Sequence, residues 1–141
     1  MTMNKEEIQK FLPHRDPMLL VDSMEVDESG VCHALYRVPE HPFYCEGHFP
    51  GNPIVPGVIL CEMMAQASSG LYPEAFDGGL VVYRGMEQVK FRHEVHPGDL
   101  CETRATLVEH KGSLYVCETT LSVGGVRCCQ ARITLAAVAK G

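Results

Sequence analysis

The sequence predicts an α+β fold in which an antiparallel sheet wraps around one long buried helix, and three observations carry that prediction. Val58 to Ala67 is almost wholly apolar with a single charge, Glu62, so it has no polar face to offer water. Downstream come four strand-length runs, 80–92, 99–110, 113–123 and 126–138, and Lys111-Gly112 and Gly124-Gly125 separate the last three at the spacing of tight hairpins. On run 113–123, Tyr115, Cys117, Thr119, Leu121 and Val123 alternate with polar Glu118, Thr120 and Ser122, the pattern of a half-buried antiparallel strand. A helix apolar all round is covered only by a sheet curling around it, helped by a partner.

The elements follow in order. Asn4 to Leu12 reads as a short helix, with Asn4 as N-cap and Glu7 three residues on as a variant capping box; Pro13 stops it. Met18 to Val26 and Val31 to Val38 are strand candidates, with Glu28-Ser29-Gly30 as the turn between them. Pro39 to Pro56 is a long irregular loop, of the kind that is usually functional in a compact domain. Pro56 suits the first turn of the central helix, where its missing N–H needs no partner. That helix ends near Gly70-Leu71, and Pro73 cannot continue it. With about six mainly antiparallel strands and no repeats or linkers, residues 1–141 form a single domain. At that size roughly two-thirds of the unfolded surface is buried on folding.

Composition narrows the function. Hydrophobic residues make up 45% and charged residues 21% of the chain, ordinary globular values. A net charge of −6 argues against nucleic acid as a partner. No apolar run reaches the ~18 residues that span a membrane, and MTMNKEEIQK lacks the apolar core of a signal peptide. The expected location is the cytoplasm. Seven cysteines, an odd count with no C-x-x-C, read as small buried hydrophobes rather than as ligands or disulfides. His93 and His96 sit beside an HPGD turn and read as surface, so no metal is expected.

Chemistry concentrates in Glu46 to Gln66. A loop dense in Gly and Pro holds His48, whose neighbours leave room for a ligand to approach. Imidazole changes charge in the physiological range and so can serve as a base. A lone carboxylate on the apolar helix costs several kcal/mol of desolvation unless compensated, a burden usually accepted for chemistry. Glu62 and Gln66, four apart, share one face, so polar groups converge there.

GHFPGNPIVPG followed by LCEMMAQA, with LPHRDPMLLVD upstream and VKFRHEVHPGD downstream, resembles the FabZ-type (3R)-hydroxyacyl-[acyl carrier protein] dehydratases. Three ordered motifs over most of the chain make the resemblance specific. It implies the hot-dog fold, with His48 as catalytic base and Glu62 as catalytic carboxylate. It also implies that the backbone N–H of Gly57 binds the thioester carbonyl, with Val58 and Gln66 beside the substrate and Tyr83 gating an acyl tunnel. The implied reaction removes water from a (3R)-3-hydroxyacyl thioester to give the trans-2-enoyl thioester, with no metal or organic cofactor. Glu rather than Asp at position 62 implies dehydration without isomerisation. The implied partner is acyl carrier protein, which would dock on a local basic patch among Arg84, Lys90, Arg92, Arg127 and Arg132 on this acidic chain. The implied assembly is a homodimer, extending to a trimer of dimers, with each site taking His48 from one subunit and Glu62 from the other. The sequence departs from the family at His93-Glu94, where a Pro usually stands, and in a short 73–79 loop, which leaves acyl-chain preference open. The rival readings are a hot-dog acyl thioesterase, which needs no base at C2, and a non-catalytic acyl binder, which has no reason to bury a carboxylate.

Overall fold

The long apolar stretch forms α2, Gly57–Ser68, and a seven-stranded sheet closes on it in the computed structural model. The structure describes residues 2–139; Met1, Lys140 and Gly141, at the ends of the expected 1–141 domain, lie outside the described residues. In chain order the elements are β1 (Thr2–Met3), α1 (Lys5–Ile8), β2 (Ser23–Val26), β3 (Val31–Arg37), a 3₁₀ turn (Phe43–Cys45) and α2. Two 3₁₀ turns (Ser69–Leu71 and Pro73–Phe76) then lead to β4 (Gly79–Phe91), β5 (Leu100–Lys111), β6 (Leu114–Val123) and β7 (Val126–Ala139). Every pairing is antiparallel, in the order β1-β2-β3-β5-β6-β7-β4, so the strand that follows α2 crosses to the far edge. α2 lies against β3, β5, β6 and β7. This is the hot-dog arrangement.

The four downstream strands fall within a residue of their predicted bounds. The hairpin turns carry Gly112 at φ 61 and Gly124 and Gly125 at φ 57 and 80, a left-handed backbone that a side chain would resist. The α1 capping box is complete: Glu7 N–H donates to Asn4 Oδ1 at 2.9 Å, and Asn4 N–H donates to Glu7 Oε1 at 3.0 Å.

Three expectations need correction. The helix expected over Asn4 to Leu12 ends at Ile8, with Gln9 as its C-cap and turns leading to Pro13. The strand expected over Met18 to Val26 begins only at Ser23. Leu19, Leu20 and Val21 are buried as a strand would bury them, but their backbone is met by a side chain. Gln66 Oε1 accepts the N–H of Leu20 at 2.7 Å, and its Nε2 donates to the carbonyl of Met18 at 2.8 Å. Nor is α2 buried on all sides. From Leu60 onward only Glu62 departs from full burial, but Val58 in the first turn is 75% exposed in the single chain.

The core divides into a cluster around α2 and a smaller one where α1, β2 and β3 meet. All seven cysteines are buried and free. Burial pushes the Cys32 and Cys101 thiols up to about 12, which removes their nucleophilic form at neutral pH. At the entry to β4, a Cβ on Gly79 would land on the carbonyl oxygen of Val138, a backbone atom that cannot turn aside. Gly79→Ala is therefore expected to destabilise by about 1–3 kcal/mol, read as a lower denaturation midpoint with an unchanged slope. An unaltered midpoint would show that this edge of the sheet yields freely.

Candidate active site

His48 is set by its own loop. Its N–H donates to the Cys45 carbonyl at 3.0 Å, and its carbonyl accepts from Ile54 N–H at 2.7 Å. Phe49 and Asn52 exchange backbone bonds of 3.1 and 2.9 Å, closing the turn beyond it. The His48–Phe49 peptide is cis, and the two rings stack at 4.2 Å. His48 Nδ1 lies 3.0 Å from the carbonyl oxygen of Ile54. A carbonyl only accepts, so Nδ1 carries the proton and Nε2 is left with its lone pair. That is the tautomer a general base requires.

Glu62 is held on the opposite side of the helix. Its Oε2 accepts from Gln66 Nε2 at 2.8 Å and lies 3.3 Å from His14 Nε2, while Oε1 accepts the hydroxyl of Tyr83. The side chain is only 17% exposed. Burial pushes the carboxyl up, but the hydrogen bonds from His14, Gln66 and Tyr83, with the His14 charge, outweigh it and hold it below the ordinary carboxylate range. The carboxylate that the sequence left lone is thus compensated by three neighbours.

The two residues open into different cavities. One, of about 440 Å³, is bordered by His48, Val55, Gly57, Leu60, Phe91 and His93 among others. The other, of about 70 Å³, is bordered by His14, Glu62, Gln66, Tyr72 and Tyr83 with apolar neighbours. No residue borders both. Helix geometry explains why. Residues step round a helix by about 100° each, so Gly57 and Leu60 share one face and Glu62, Ala65, Gln66 and Ser69 the face nearly opposite. Within one chain His48 and Glu62 therefore line separate cavities on opposite faces of α2.

β4 contributes to both cavities, with Tyr83 in one and Phe91 in the other. Among the described residues it pairs only with β7, which leaves its outer edge open over thirteen residues, and Leu80, Val82, Tyr83, Met86 and Phe91 are all exposed along it. A long apolar edge of this kind invites another strand.

The remaining sequence candidates sort differently. Gly57 opens α2, where the first N–H groups have no partner within the helix. The ring of Phe91 lies over it, 2.8 Å from where a Cβ would stand. Val58 is exposed and borders neither cavity. Gln66, expected beside the substrate, is 2% exposed and spends its whole amide on Leu20, Met18 and Glu62, which makes it a bracket for the carboxylate. Tyr83 sits on β4 and meets Glu62 directly, a contact that a tunnel aromatic did not lead us to expect. Of the basic residues, Arg132 is paired with Glu118 at 2.6 Å, whereas Arg92 and Arg127 both reach Gln130. Among the described residues no group of His, Cys, Asp or Glu is arranged to hold a metal, and no helix is long and apolar enough to cross a membrane. His14 had no role in the sequence reading; the only signal was its place in the LPHRDP motif.

The comparisons with known proteins agree with this geometry. The ApeI-like family model, described as ApeI dehydratase, matches residues 23–126. The fold recurs in the dehydratase heterocomplex ApeI:P from Xenorhabdus doucetiae, with a TM-score of 0.76 at 20% identity over 94% of this chain and 91% of that one. A hypothetical thioesterase from Streptococcus pneumoniae TIGR4, solved with coenzyme A, shares it at a TM-score of 0.62 and 14% identity, covering 83% of this chain and 85% of that one. The molecule is a hot-dog protein of the dehydratase type. The 3-hydroxyacyl-[acyl-carrier-protein] dehydratase FabZ of Latilactobacillus sakei is 39% identical over 137 residues, which is 94% of this chain and 96% of that protein. The chain belongs to the FabZ family of 3-hydroxyacyl-[acyl-carrier-protein] dehydratases.

Proposed function

We propose that the protein dehydrates (3R)-3-hydroxyacyl thioesters carried on acyl carrier protein to trans-2-enoyl thioesters in fatty acid biosynthesis. Family membership over nearly the whole chain supports the reaction. The observation that carries the chemistry is the His48 Nδ1 bond to the Ile54 carbonyl, because it leaves Nε2 free to take the C2 proton. As that proton leaves, negative charge grows on the thioester oxygen, and the Gly57 N–H at the positive end of α2 is suited to receive it. Glu62, on a partner's helix, supports departure of the 3-hydroxyl. No metal or organic cofactor enters this scheme.

The same reading requires two chains, since the two faces of α2 separate His48 from Glu62. Antiparallel pairing of two β4 edges about a two-fold axis covers the exposed apolar residues there and joins the sheets into one. The reading is a homodimer, with a trimer of dimers as its extension, acting in the cytoplasm. Arg92 and Arg127, which converge on Gln130, are candidates to meet an acidic carrier together with Arg84 and Lys90, whereas Arg132 is already paired with Glu118.

Incubation with 3-hydroxybutyryl thioester separates this from the thioesterase reading. The expected result is a rise in enoyl absorbance without release of free thiol. Thiol release without enoyl product would transfer the protein to the thioesterases.

A further inference from the structure

The neighbour of Glu62 that no sequence argument called for is His14, and it is tightly placed. Its loop follows Pro13 and is pinned from within. The Arg15 guanidinium donates to the carbonyls of Gln9, Leu12 and His14 at 3.0, 2.8 and 2.8 Å, and Asp16 pairs with Lys5 at 3.1 Å. From this fixed backbone the imidazole reaches Glu62, with Nε2 3.3 Å from Oε2. Nδ1 is buried and has no hydrogen-bond partner among the described residues. The ring therefore has one polar engagement, with the carboxylate, and an Nε2–H is what that carboxylate can accept.

The arrangement bears on a problem in the dehydration chemistry. The departing 3-hydroxyl must take up a proton, yet Glu62 is held as a carboxylate by its three donors. Tyr83 and Tyr72, the other titratable groups around this cavity, are pushed well above the usual phenol range by burial and keep their protons. Arg15 and Asp16, which flank His14 in its loop, are engaged elsewhere. Among the described residues in contact with Glu62, only His14 offers a ring nitrogen that can either carry a proton or give it up.

We propose that His14 is a positioning residue for the dehydration: it orients Glu62 through Nε2, and the His14–Glu62 pair carries the proton that departs with the 3-hydroxyl. This rests on the dehydratase reading. His48 Nε2 takes the C2 proton, and the C2–H electron pair becomes the C2=C3 bond. The C3–O bond breaks with its electrons on oxygen. That oxygen takes its proton from Glu62, which draws it from an imidazolium at His14, and leaves as water with His14 neutral and Glu62 ionised. Afterwards His48 loses one proton to solvent and the pair regains one, so no other reactant is consumed.

The test compares the full-length wild-type protein with its His14→Asn and His14→Ala variants on a carrier-linked 3-hydroxyacyl substrate. The expected result is a fall in kcat of about 10²-fold with KM changed by less than about threefold, while the thermal midpoint stays near that of the wild type. The alkaline limb of the kcat–pH profile should move to lower pH in His14→Asn, because Glu62 must then hold the acid proton alone. Added imidazole should restore part of the His14→Ala activity by entering the vacated space. A folded His14→Asn protein with unchanged kcat and profile would overturn the proposal. So would an activity loss that follows the thermal midpoint and resists imidazole, or failure of both variants to fold, since each marks a purely structural residue. Absence of enoyl product from the wild-type protein would instead remove the dehydratase reading on which the proposal rests.

Discussion

His48→Ala is expected to lower turnover by about 10²-fold or more while leaving the fold in place. The ring is only partly buried, lies on a loop, and makes one side-chain hydrogen bond, to Ile54. The loop keeps its shape through backbone bonds of Cys45, Phe49, Asn52 and Ile54, all of which survive truncation at Cβ. Circular dichroism and the thermal midpoint should therefore match the wild type. His48→Gln makes the comparison sharper, since an amide can still donate to Ile54 but cannot take the C2 proton. Both variants should be equally inactive. Near-normal dehydration by either folded protein would remove His48 as the base.

Glu62 responds differently from what its sequence context suggests. A lone buried carboxylate gains from neutralisation, so Glu62→Gln reads from the sequence as harmless or stabilising. In the structure the carboxylate accepts from Gln66 and Tyr83 and faces His14, and a glutamine amide would set a donor against a donor. The substitution should cost about 1–3 kcal/mol at neutral pH. The sign follows from the lowered folded-state pKa. The contribution is present above the unfolded carboxyl value of about 4.5 and fades as pH falls through the lower folded one. The stabilities of wild type and Glu62→Gln, measured by denaturation across pH 3–7, should converge at the acid end. A gap that persists unchanged at low pH would show that the carboxylate charge is not the cause.

What was legible in the sequence was whatever sits close along the chain. The hairpins announced themselves through Gly112 and Gly124-Gly125, and the α1 cap through Asn4 and Glu7, because turn and cap chemistry acts over two to four residues. His48 and Glu62 were legible for the same reason, lying fourteen positions apart in one stretch of unusual composition. Contacts made across the fold were not. Gln66 meets Met18 and Leu20 across 48 and 46 residues, so a backbone run satisfied by a side chain read as a strand. His14 meets Glu62 across the same distance, and apart from its place in the LPHRDP motif nothing local marks it. The sequence predicts a partner because a helix apolar all round cannot cover itself. The sheet in fact covers most of α2, and the open surface lies at Val58 and along β4.

That open edge makes the division of the site between two chains testable without a structure of the assembly. His48→Ala and Glu62→Ala proteins, each inactive alone, are unfolded, mixed in equal amounts and refolded together. Random pairing makes half of the dimers mixed. In each mixed dimer one site has lost both residues and the other keeps His48 from one chain and Glu62 from its partner. One intact site in two, in half of the dimers, should return about a quarter of wild-type activity under two-fold symmetry. The opposite placement of the Gly57 and Glu62 faces on α2 is the reason to expect recovery, since a site within one chain would have to reach around the helix. A control mixture of two differently tagged His48→Ala proteins should exchange subunits and stay inactive. No recovery in the test mixture, with exchange demonstrated by the tags, would rule out the shared site.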